Sequence, residues 1–205
     1  MSSPLTDARV AIRRAARGAR VAIPSDMRTL FSQQIRAHII DGEWWKSADT
    51  IALYVPVGSE VDLWPLVGLA FASGRSIVIP RIVGDDLTTD RVMTFDRLCT
   101  DNVVDLILGP HSIPETPDPD PVSSTDISLV LMPATAIDAQ GNRLGGGVGY
   151  YDRWLAGARA LAPQPRTLAT IFNAQFVAPP AYIPAQSHDQ RVEAVVTETG
   201  WTQFT

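Results

Sequence analysis

The hydrophobic residues of the chain fall into two kinds of segment, short continuous runs and longer stretches with helical spacing. Short apolar or β-branched runs predict strands at residues 50–55, 76–79, 129–132, 167–172 and 194–197, and an alternating run predicts an edge strand at 91–95. Apolar residues recurring every three or four positions predict helices at 5–23, 25–40, 62–73 and 150–161. Because strands and helices alternate, the pattern favours an α/β fold with a mostly parallel sheet and helices on both faces.

Local signals refine the ends of these elements. Ser25 is expected to cap the second helix, and Pro80 is expected to end the second strand. The polar segment 133–142 is interpreted as a loop. Segment 109–121 holds five prolines beside three acidic residues. It is interpreted as a solvated connection, with docking onto an aromatic groove as the alternative.

A glycine cluster separates the strand that begins at Leu129 from the helix that contains Leu155. Its members are Gly145, Gly146, Gly147 and Gly149. Without a Cβ the backbone there can adopt positive φ and turn its N–H groups toward one point. The following helix adds unsatisfied N–H groups and the positive end of its dipole, and the two together attract phosphate.

Two charged residues flank this cluster. Arg143 can clamp phosphate oxygens with its forked guanidinium, and Asp152 in the first helical turn can hold Mg²⁺ directly or through water. The alternative is a tight turn with Arg143 and Asp152 as a surface ion pair. Neither common nucleotide signature fits, because the only lysine is Lys46 and the dinucleotide spacing would need a glycine at Tyr150.

Four arginines share one face of the first helix. Arg9, Arg13, Arg17 and Arg20 are spaced by four, four and three residues. Charged residues usually lie outside, so a solvated face is one interpretation. A face that binds an anionic ligand is the other.

Polar residues also follow two of the predicted strands. Tyr54, Pro56 and Glu60 come at the end of the strand at 50–55, and Gln175 follows the strand at 167–172. Ligands of open α/β sheets bind outside the carboxyl ends of strands, so these side chains are candidates for substrate contact. Glu60 can equally be part of the acidic start of the next helix.

Composition narrows the class of protein. With 205 residues, 45% hydrophobic and 19% charged, the chain resembles a soluble globular protein of one domain, residues 1–205. The net charge of −5 argues against nucleic-acid binding. Cys99 is the only cysteine, and the three histidines lack metal-ligand spacing. No apolar run approaches the roughly 20 residues of a membrane span, so a cytoplasmic location is expected.

The segment 143–152, Arg-Leu-Gly-Gly-Gly-Val-Gly-Tyr-Tyr-Asp, preceded by Met-Pro-Ala-Thr-Ala-Ile-Asp at 132–138, resembles the signature of the 5-formyltetrahydrofolate cyclo-ligase family. Segments near residues 9–13, 54–61, 79–80, 173–175 and 187–189 are similar to that family in the same order, so the resemblance covers nearly the whole chain. It implies a three-layer α/β/α sandwich of the kind shared with sugar-phosphate isomerases and CoA transferases.

The resemblance also implies an activity. Enzymes of this family, also called methenyltetrahydrofolate synthetases, close 5-formyltetrahydrofolate to 5,10-methenyltetrahydrofolate with ATP and Mg²⁺. The formyl oxygen attacks the γ-phosphate, N10 attacks the activated carbon, and phosphate leaves. The expected partners are the folate and ATP, with no nucleic acid, no membrane and no obligate protein partner.

The family's functional residues carry over onto matching positions. ATP is expected to contact Arg9, Arg13, Arg143, Leu144, Gly145, Gly146, Gly147, Val148, Gly149, Tyr150 and Tyr151. The folate is expected to contact Tyr54, Pro56, Glu60 and Gln175, and Mg²⁺ to be held by Asp152 and Asp189. Arg143, Tyr150 and Tyr151 are expected to act in catalysis. Without the resemblance, Asp189 reads as a turn residue.

Two positions depart from the family pattern. Arg9 stands where a lysine is usual, so a planar fork replaces a point charge. Val148 stands where a lysine or a polar residue often occurs. The glycine segment, residues 145–149, therefore has less positive charge for the γ-phosphate. Arg143→Ala and Asp152→Ala are expected to lower turnover far more than stability.

Two other classes of function remain open from the residues alone. A phosphosugar isomerase or CoA transferase would keep the fold, and Glu60 is a conceivable catalytic carboxylate for the latter. A non-catalytic protein could use the arginine face of the first helix to bind RNA or another polyanion. Protection against heating by ATP with Mg²⁺, rather than by a CoA thioester, would separate the first alternative from the cyclo-ligase.

Overall fold

A computed structural model describes residues 4–84 and 91–204 of the chain. The helices in this part are α1 (Pro4–Ala22), α2 (Ser25–Asp41), α3 (Glu43–Lys46), α4 (Pro65–Ala72) and α5 (Tyr150–Arg159). The strands are β1 (Thr50–Ala52), β2 (Ser76–Val83), β3 (Val92–Arg97), β4 (Ile107–Leu108), β5 (Pro114–Glu115), β6 (Leu129–Pro133), β7 (Ala136–Asp138), β8 (Arg143–Leu144), β9 (Arg166–Thr170), β10 (Phe176–Val177), β11 (Ala194–Thr197) and β12 (Gly200–Gln203).

A seven-stranded sheet forms the centre of the molecule, in the order β12-β11-β9-β6-β1-β2-β3. The five strands from β11 to β2 pair in parallel, and β12 and β3 pair in antiparallel fashion at the two edges. The expected α/β architecture with a mostly parallel sheet is confirmed. The alternating run at 91–95 lies in edge strand β3, as predicted.

Both faces of this sheet are buried, which explains the continuous apolar runs of its strands. Alternate residues point to opposite faces, so Leu129 and Leu131 pack in one cluster with α2 and α4, while Val130 and Met132 pack in the other with α5. All four residues are 0% exposed. Helices therefore cover the sheet from both sides, giving three layers.

A second, three-stranded sheet supports α1. Strand β7 pairs with β10 in parallel and with β8 in antiparallel fashion. Ala16 of α1 packs there against Ala136 and Leu144. This arrangement replaces the loop predicted at 133–142 and fixes α1 beside the segment that follows β6.

Several predicted element ends are wrong. Strand β1 ends at Ala52 rather than at residue 55, and α4 begins at Pro65 rather than at residue 62. Two further ends have a local cause. Pro80 lies inside β2, opposite Phe95, rather than at its end. Strand β1 pairs with β2 only as far as Val78. At Pro80, β2 therefore pairs with β3 alone, and a residue without a backbone N–H is tolerated there. The N-cap of α2 is Pro24, with no side-chain cap, and Ser25 is its first helical residue.

Segment 109–121 is not a plain solvated connection. It contains β5, which pairs with β4, and Glu115 in β5 is 3% exposed. Glu115 accepts hydrogen bonds from Arg81 Nη1 at 3.0 Å and from the Ile82 N–H at 2.8 Å. The β4–β5 hairpin is thereby attached to the central sheet.

In the described part of the chain, no helix combines the length and apolarity needed to cross a membrane.

Candidate active site

A cavity of about 380 Å³ opens where β1 and β6 end, with α1 along one side and the glycine segment along another. Most of the residues predicted to contact ligands line it. They are Arg9, Arg13, Tyr54, Glu60, Arg143, Gly145, Gly146, Gly147, Val148, Gly149, Tyr150, Tyr151, Asp152 and Asp189. Long-range folding thus brings four separate segments of sequence to one space.

The arginine face of α1 lines this cavity along its length. Arg13 Nε donates to the Gly145 carbonyl at 3.0 Å, and Arg17 Nη2 donates to the Gly146 carbonyl at 3.1 Å. Arg20 Nε donates to Ser59 Oγ at 3.0 Å, on the far side of the cavity from Arg9. The interpretation of these four residues as a purely solvated face is therefore wrong.

Arg9 forms a buried fork with Asp189. Its Nη1 and Nη2 lie 2.5 and 3.0 Å from the two carboxylate oxygens, and the side chains are only 7% and 9% exposed. Burial by itself raises the pKa of Asp189, but hydrogen bonds from Arg9 and from the Gln186 N–H outweigh it and hold that pKa below its ordinary value. Arg9 also donates to the Pro184 carbonyl at 2.8 Å. The pair ties α1 to the segment 184–189.

A second buried pair joins Arg143 to Asp152, at 2.9 Å. The two residues are 4% and 8% exposed, so the alternative of a surface ion pair is wrong. Arg143 Nη1 also donates to the Pro133 carbonyl at 3.2 Å. Arg143 Nε is buried and has no hydrogen-bond partner among the described residues, so one donor beside the cavity is unsatisfied.

The glycine segment depends on glycine for two different reasons. Gly147 and Gly149 adopt φ of 117° and 77°, which other residues rarely tolerate. A Cβ on Gly145 would lie 2.9 Å from Arg143 Nη1, so glycine is needed here because the Arg143 side chain packs closely against the backbone. Gly145 and Gly146 do not adopt positive φ. No side chain of the described residues caps α5, and its N-cap Gly149 and first residue Tyr150 line the cavity, so its first N–H groups are free of side-chain partners beside it.

The two tyrosines after the glycines have different surroundings. Tyr150 lies against the guanidinium of Arg153, with 5.2 Å from Cζ to the ring centre. Tyr151 lies under Arg143, at 5.4 Å, and its hydroxyl is buried without a hydrogen-bond partner among the described residues. Burial raises the pKa of Tyr151 far above its ordinary value, so the hydroxyl is a neutral donor.

Another part of the cavity lining is mainly apolar and is formed by Pro80, Ile82, Met93 and Ile113, and Glu60 adds a carboxylate. Burial raises the pKa of Glu60, against the opposing effects of the Val57 N–H at 3.1 Å and of Arg20.

The predicted residue Tyr54 stands beside Glu60, and its hydroxyl is used within the protein. It hydrogen-bonds to the Val61 carbonyl at 2.9 Å and to Thr170 at 3.0 Å. Burial raises the pKa of Tyr54 well above its ordinary value. The ring of Tyr54, rather than its hydroxyl, is therefore available for contact with a ligand in the cavity.

Three predicted contact residues do not line the cavity. Leu144 is 0% exposed and packs against α1, and Pro56 is outside the lining. Gln175 donates to the carbonyls of Ala134 and Thr135, both at 3.0 Å. Because Ala134 and Thr135 line the cavity, Gln175 holds its wall, and direct ligand contact by these three residues stays a prediction.

The sequence reasoning left out several residues that line the cavity. Arg17 and Arg20 were visible in the helical spacing but matched no family position. Ile113 carried no signal, because it lies in a hairpin whose return to the cavity depends on the buried Arg81 and Glu115.

Positive charge accumulates at the glycine end. Burial, followed by the nearby Arg9 and Arg17, lowers the pKa of Arg13. Among the described residues, neither Arg13 nor Arg17 forms a salt bridge with a carboxylate. An anion bound there would relieve this repulsion.

For a metal ion the protein offers few donors. No group of three or more His, Cys, Asp or Glu side chains in the described residues is arranged to hold a metal. Asp189 uses both oxygens on Arg9, whereas Asp152 Oδ1 has one donor among the residues that the structure describes, the Gln190 N–H at 3.2 Å. This set fits an ion bound mainly by phosphate oxygens and water, with Asp152 as the carboxylate within reach.

Comparison with known sequences decides the family. A sequence model of the 5-formyltetrahydrofolate cyclo-ligase family matches residues 5–198. The chain belongs to this family. The 5-formyltetrahydrofolate cyclo-ligase of Mus musculus is 26% identical over 210 residues, covering 93% of this chain and 97% of the relative. That of Mycolicibacterium smegmatis is 29% identical over 153 residues, covering 74% of each chain. This cyclo-ligase family member is therefore an enzyme, and the names of its relatives support cyclo-ligase activity.

Solved structures confirm the fold of this cyclo-ligase family member. The NMR structure of a 5,10-methenyltetrahydrofolate synthetase from Aquifex aeolicus matches with a TM-score of 0.76 at 22% identity, over 95% of this chain and 92% of that one. A synthetase from Mycoplasma pneumoniae matches with a TM-score of 0.71 at 19% identity, over 93% and 98%. At these identities the likeness establishes the shared three-layer fold.

Proposed function

We propose that the chain converts 5-formyltetrahydrofolate to 5,10-methenyltetrahydrofolate while ATP is cleaved to ADP and phosphate, with Mg²⁺ bound to the nucleotide. The observation that supports this best is a single cavity lined by two unlike sets of residues. One set is arginines, glycine backbone and an uncapped helix start, and the other is apolar side chains and Glu60. Phosphoryl transfer between a nucleotide and a folate needs both in one space.

The triphosphate would bind at the glycine end. Arg13 forms no salt bridge there, and Arg143 offers its Nε, which has no partner among the described residues, beside the α5 N-terminus. In this proposal Arg9 does not contact the phosphates. Its guanidinium pairs with Asp189 and holds α1 in place. Phosphoryl transfer depends chiefly on such placement of charge rather than on a protein nucleophile.

The pterin would bind beside Glu60 and the apolar side chains of the lining. A carboxylate such as Glu60 can accept two N–H donors from a pterin ring, which apolar walls cannot do. The Tyr54 ring adds a flat contact surface next to it. This orientation directs the formyl group toward the centre of the cavity, where Tyr151 and Arg143 meet.

The chemical step has two parts. The formyl oxygen attacks the γ-phosphorus as the bond to ADP breaks, and N10 then attacks the activated carbon, with loss of a proton and departure of phosphate. The neutral Tyr151 hydroxyl and Arg143 Nε are buried donors without partners among the described residues, and they stabilise negative charge on the transferring oxygens. Tyr150 lies on the outer side, where its ring can pack on the nucleotide.

Mg²⁺ supplies charge neutralisation across the phosphate oxygens. Asp152 is the carboxylate we assign to it, directly or through water, because its Oδ1 has one backbone partner. Asp189 is assigned an indirect role through Arg9, since both its oxygens are engaged.

The test is an absorbance assay for the methenyl product with purified protein and 5-formyltetrahydrofolate. Product is expected only when ATP and Mg²⁺ are both present, with one ADP released per product. Addition of excess EDTA should stop the reaction, and excess Mg²⁺ should restore it. Absence of product in the complete mixture, with a protein whose melting curve is cooperative, would refute the proposed function.

A further inference from the structure

Arg17 occupies a distinct place on the arginine face of α1. An α-helix rises 1.5 Å per residue, so Arg17 lies about 6 Å along the axis from Arg13 and about 4.5 Å from Arg20. Arg13 contacts the glycine segment, whereas Arg20 contacts Ser59 and lies 3.8 Å from Glu60. Arg17 is therefore the cation between the nucleotide end and the folate end.

The contacts of Arg17 leave most of its guanidinium available. Nη2 donates to the Gly146 carbonyl at 3.1 Å, and no carboxylate among the described residues pairs with it. A guanidinium has five N–H donors in a fixed plane, so the remaining donors can face an anion while this bond persists. A Cβ on Gly146 would lie 4.0 Å from Arg17 Nη2, so the two groups are close neighbours.

The glycine segment itself brings no cation to this point. Residues 144–149 read Leu-Gly-Gly-Gly-Val-Gly, and Val148 is 53% exposed. The nearby Arg153 is used elsewhere, since its Nη1 donates to the Val148 carbonyl at 2.8 Å and its guanidinium covers Tyr150. Positive charge over the middle of the segment must come from α1.

We propose that Arg17 contacts the terminal phosphate of ATP and stays with the phosphoryl group as it moves to the formyl oxygen. The inference rests on the proposed function and adds a residue to it. Arg17 takes no proton: the bond from the γ-phosphorus to the ADP oxygen breaks, the bond to the formyl oxygen forms, and the guanidinium neutralises charge on the equatorial oxygens. The helix thus supplies the charge that the glycine segment lacks.

The test compares Arg17→Ala with Arg14→Ala, a matched control on the same helix. Arg14 is exposed and absent from the cavity lining. We expect Arg17→Ala to lower kcat by about 10²- to 10³-fold, the usual loss for one donor that stabilises a transition state. Binding of a non-hydrolysable ATP analogue, measured by calorimetry, should weaken, whereas the Kd of ADP should stay within about twofold. Arg17→Lys should recover part of kcat, because it restores charge without the fork.

Two results would overturn the inference. One is an Arg17→Ala variant with the kcat of Arg14→Ala. The other is equal weakening of ADP and of the ATP analogue, which would make Arg17 a general source of positive charge. Wild-type protein serves as the reference for the function itself: a wild type without product refutes the proposed function, whereas an active wild type beside an unaffected Arg17→Ala refutes this inference alone. Melting curves of all variants exclude misfolding, and Arg17→Gln replaces Arg17→Ala if the latter does not fold.

Discussion

The Arg143–Asp152 pair shows how burial changes the expected effect of a substitution. Both side chains are nearly excluded from solvent, so removing one charge leaves the other unpaired. We expect Asp152→Asn to lower the free energy of unfolding by about 3–5 kcal/mol, in addition to lowering turnover. The sequence alone predicted loss of turnover with little loss of stability for both residues, and we replace that expectation.

Urea unfolding at pH 7 measures this effect. Asp126→Asn is the control, since Asp126 is an exposed carboxylate outside the cavity lining. An Asp152→Asn protein with wild-type unfolding free energy would show that the pair adds nothing to stability.

Glu60 gives a pH dependence whose direction follows from its surroundings. Burial raises the pKa of Glu60 above the ordinary 4.5, so protonation begins at higher pH than for an exposed glutamate. Only the ionised form accepts two N–H donors, so KM for the folate should rise as pH falls through this raised pKa. In Glu60→Gln, KM should be higher at pH 7 and should no longer change over that window.

Steady-state kinetics from pH 5 to 8 at saturating ATP provide the measurement. The pKa of Asp189 is shifted the other way, so its protonation belongs to lower pH and does not overlap. If KM of Glu60→Gln for the folate still rose at low pH as in the wild type, a group other than Glu60 would cause the pH dependence.

At the scale of elements, the β4–β5 hairpin is predicted to shape the folate end of the cavity. Glu115 attaches it to Arg81 and to the backbone of Ile82, and Ile113 of the same hairpin lines the cavity. We expect Glu115→Gln to loosen this attachment and raise KM for the folate about five- to tenfold, equal to about 1–1.4 kcal/mol. KM for ATP should stay within about twofold, because the nucleotide end is built from other elements.

Asp118→Asn in the same segment is the matched control, since Asp118 is exposed. Equal increases of both KM values would mean that Glu115 supports the whole fold rather than one end of the cavity.

The elements that the sequence predicted well are those whose periodicity is long or whose burial is complete. β11 has its predicted bounds, Ala194–Thr197, and α5 begins at Tyr150 as predicted. The small sheet was missed because each of its strands has only two or three residues. Its turn is held by Asp138, which accepts from the Gln140 N–H at 2.9 Å and the Asn142 N–H at 3.0 Å. In the sequence, a buried aspartate that binds backbone N–H groups cannot be distinguished from the polar residues of an ordinary loop.

At the scale of the whole molecule, the residues that line the cavity could largely be predicted, but the ion pairs between them could not. The family signature indicated the glycine segment on one side of the cavity, and the arginine spacing indicated α1 on the other. The fork between Arg9 and Asp189 joins residues 180 positions apart, and no local pattern indicates such a partner. The expectation that Asp189 holds Mg²⁺ gives way to our proposal of an indirect role through Arg9. The expectation of one domain over residues 1–205 stays a prediction.

The whole molecule should also respond to its ligand. A nucleotide in the cavity would contact α1 and the first turn of α5 together, two parts that pack in different clusters. At free ATP 100 times its Kd, selective binding stabilises the folded state by about 2.7 kcal/mol. For about 200 residues this raises Tm by roughly 5–10 °C. Differential scanning fluorimetry with ATP and Mg²⁺ measures the shift. Acetyl-CoA at the same concentration should leave Tm unchanged, and Arg13→Ala should require more ATP for the same shift. A larger shift with acetyl-CoA than with ATP would favour CoA-transferase chemistry instead.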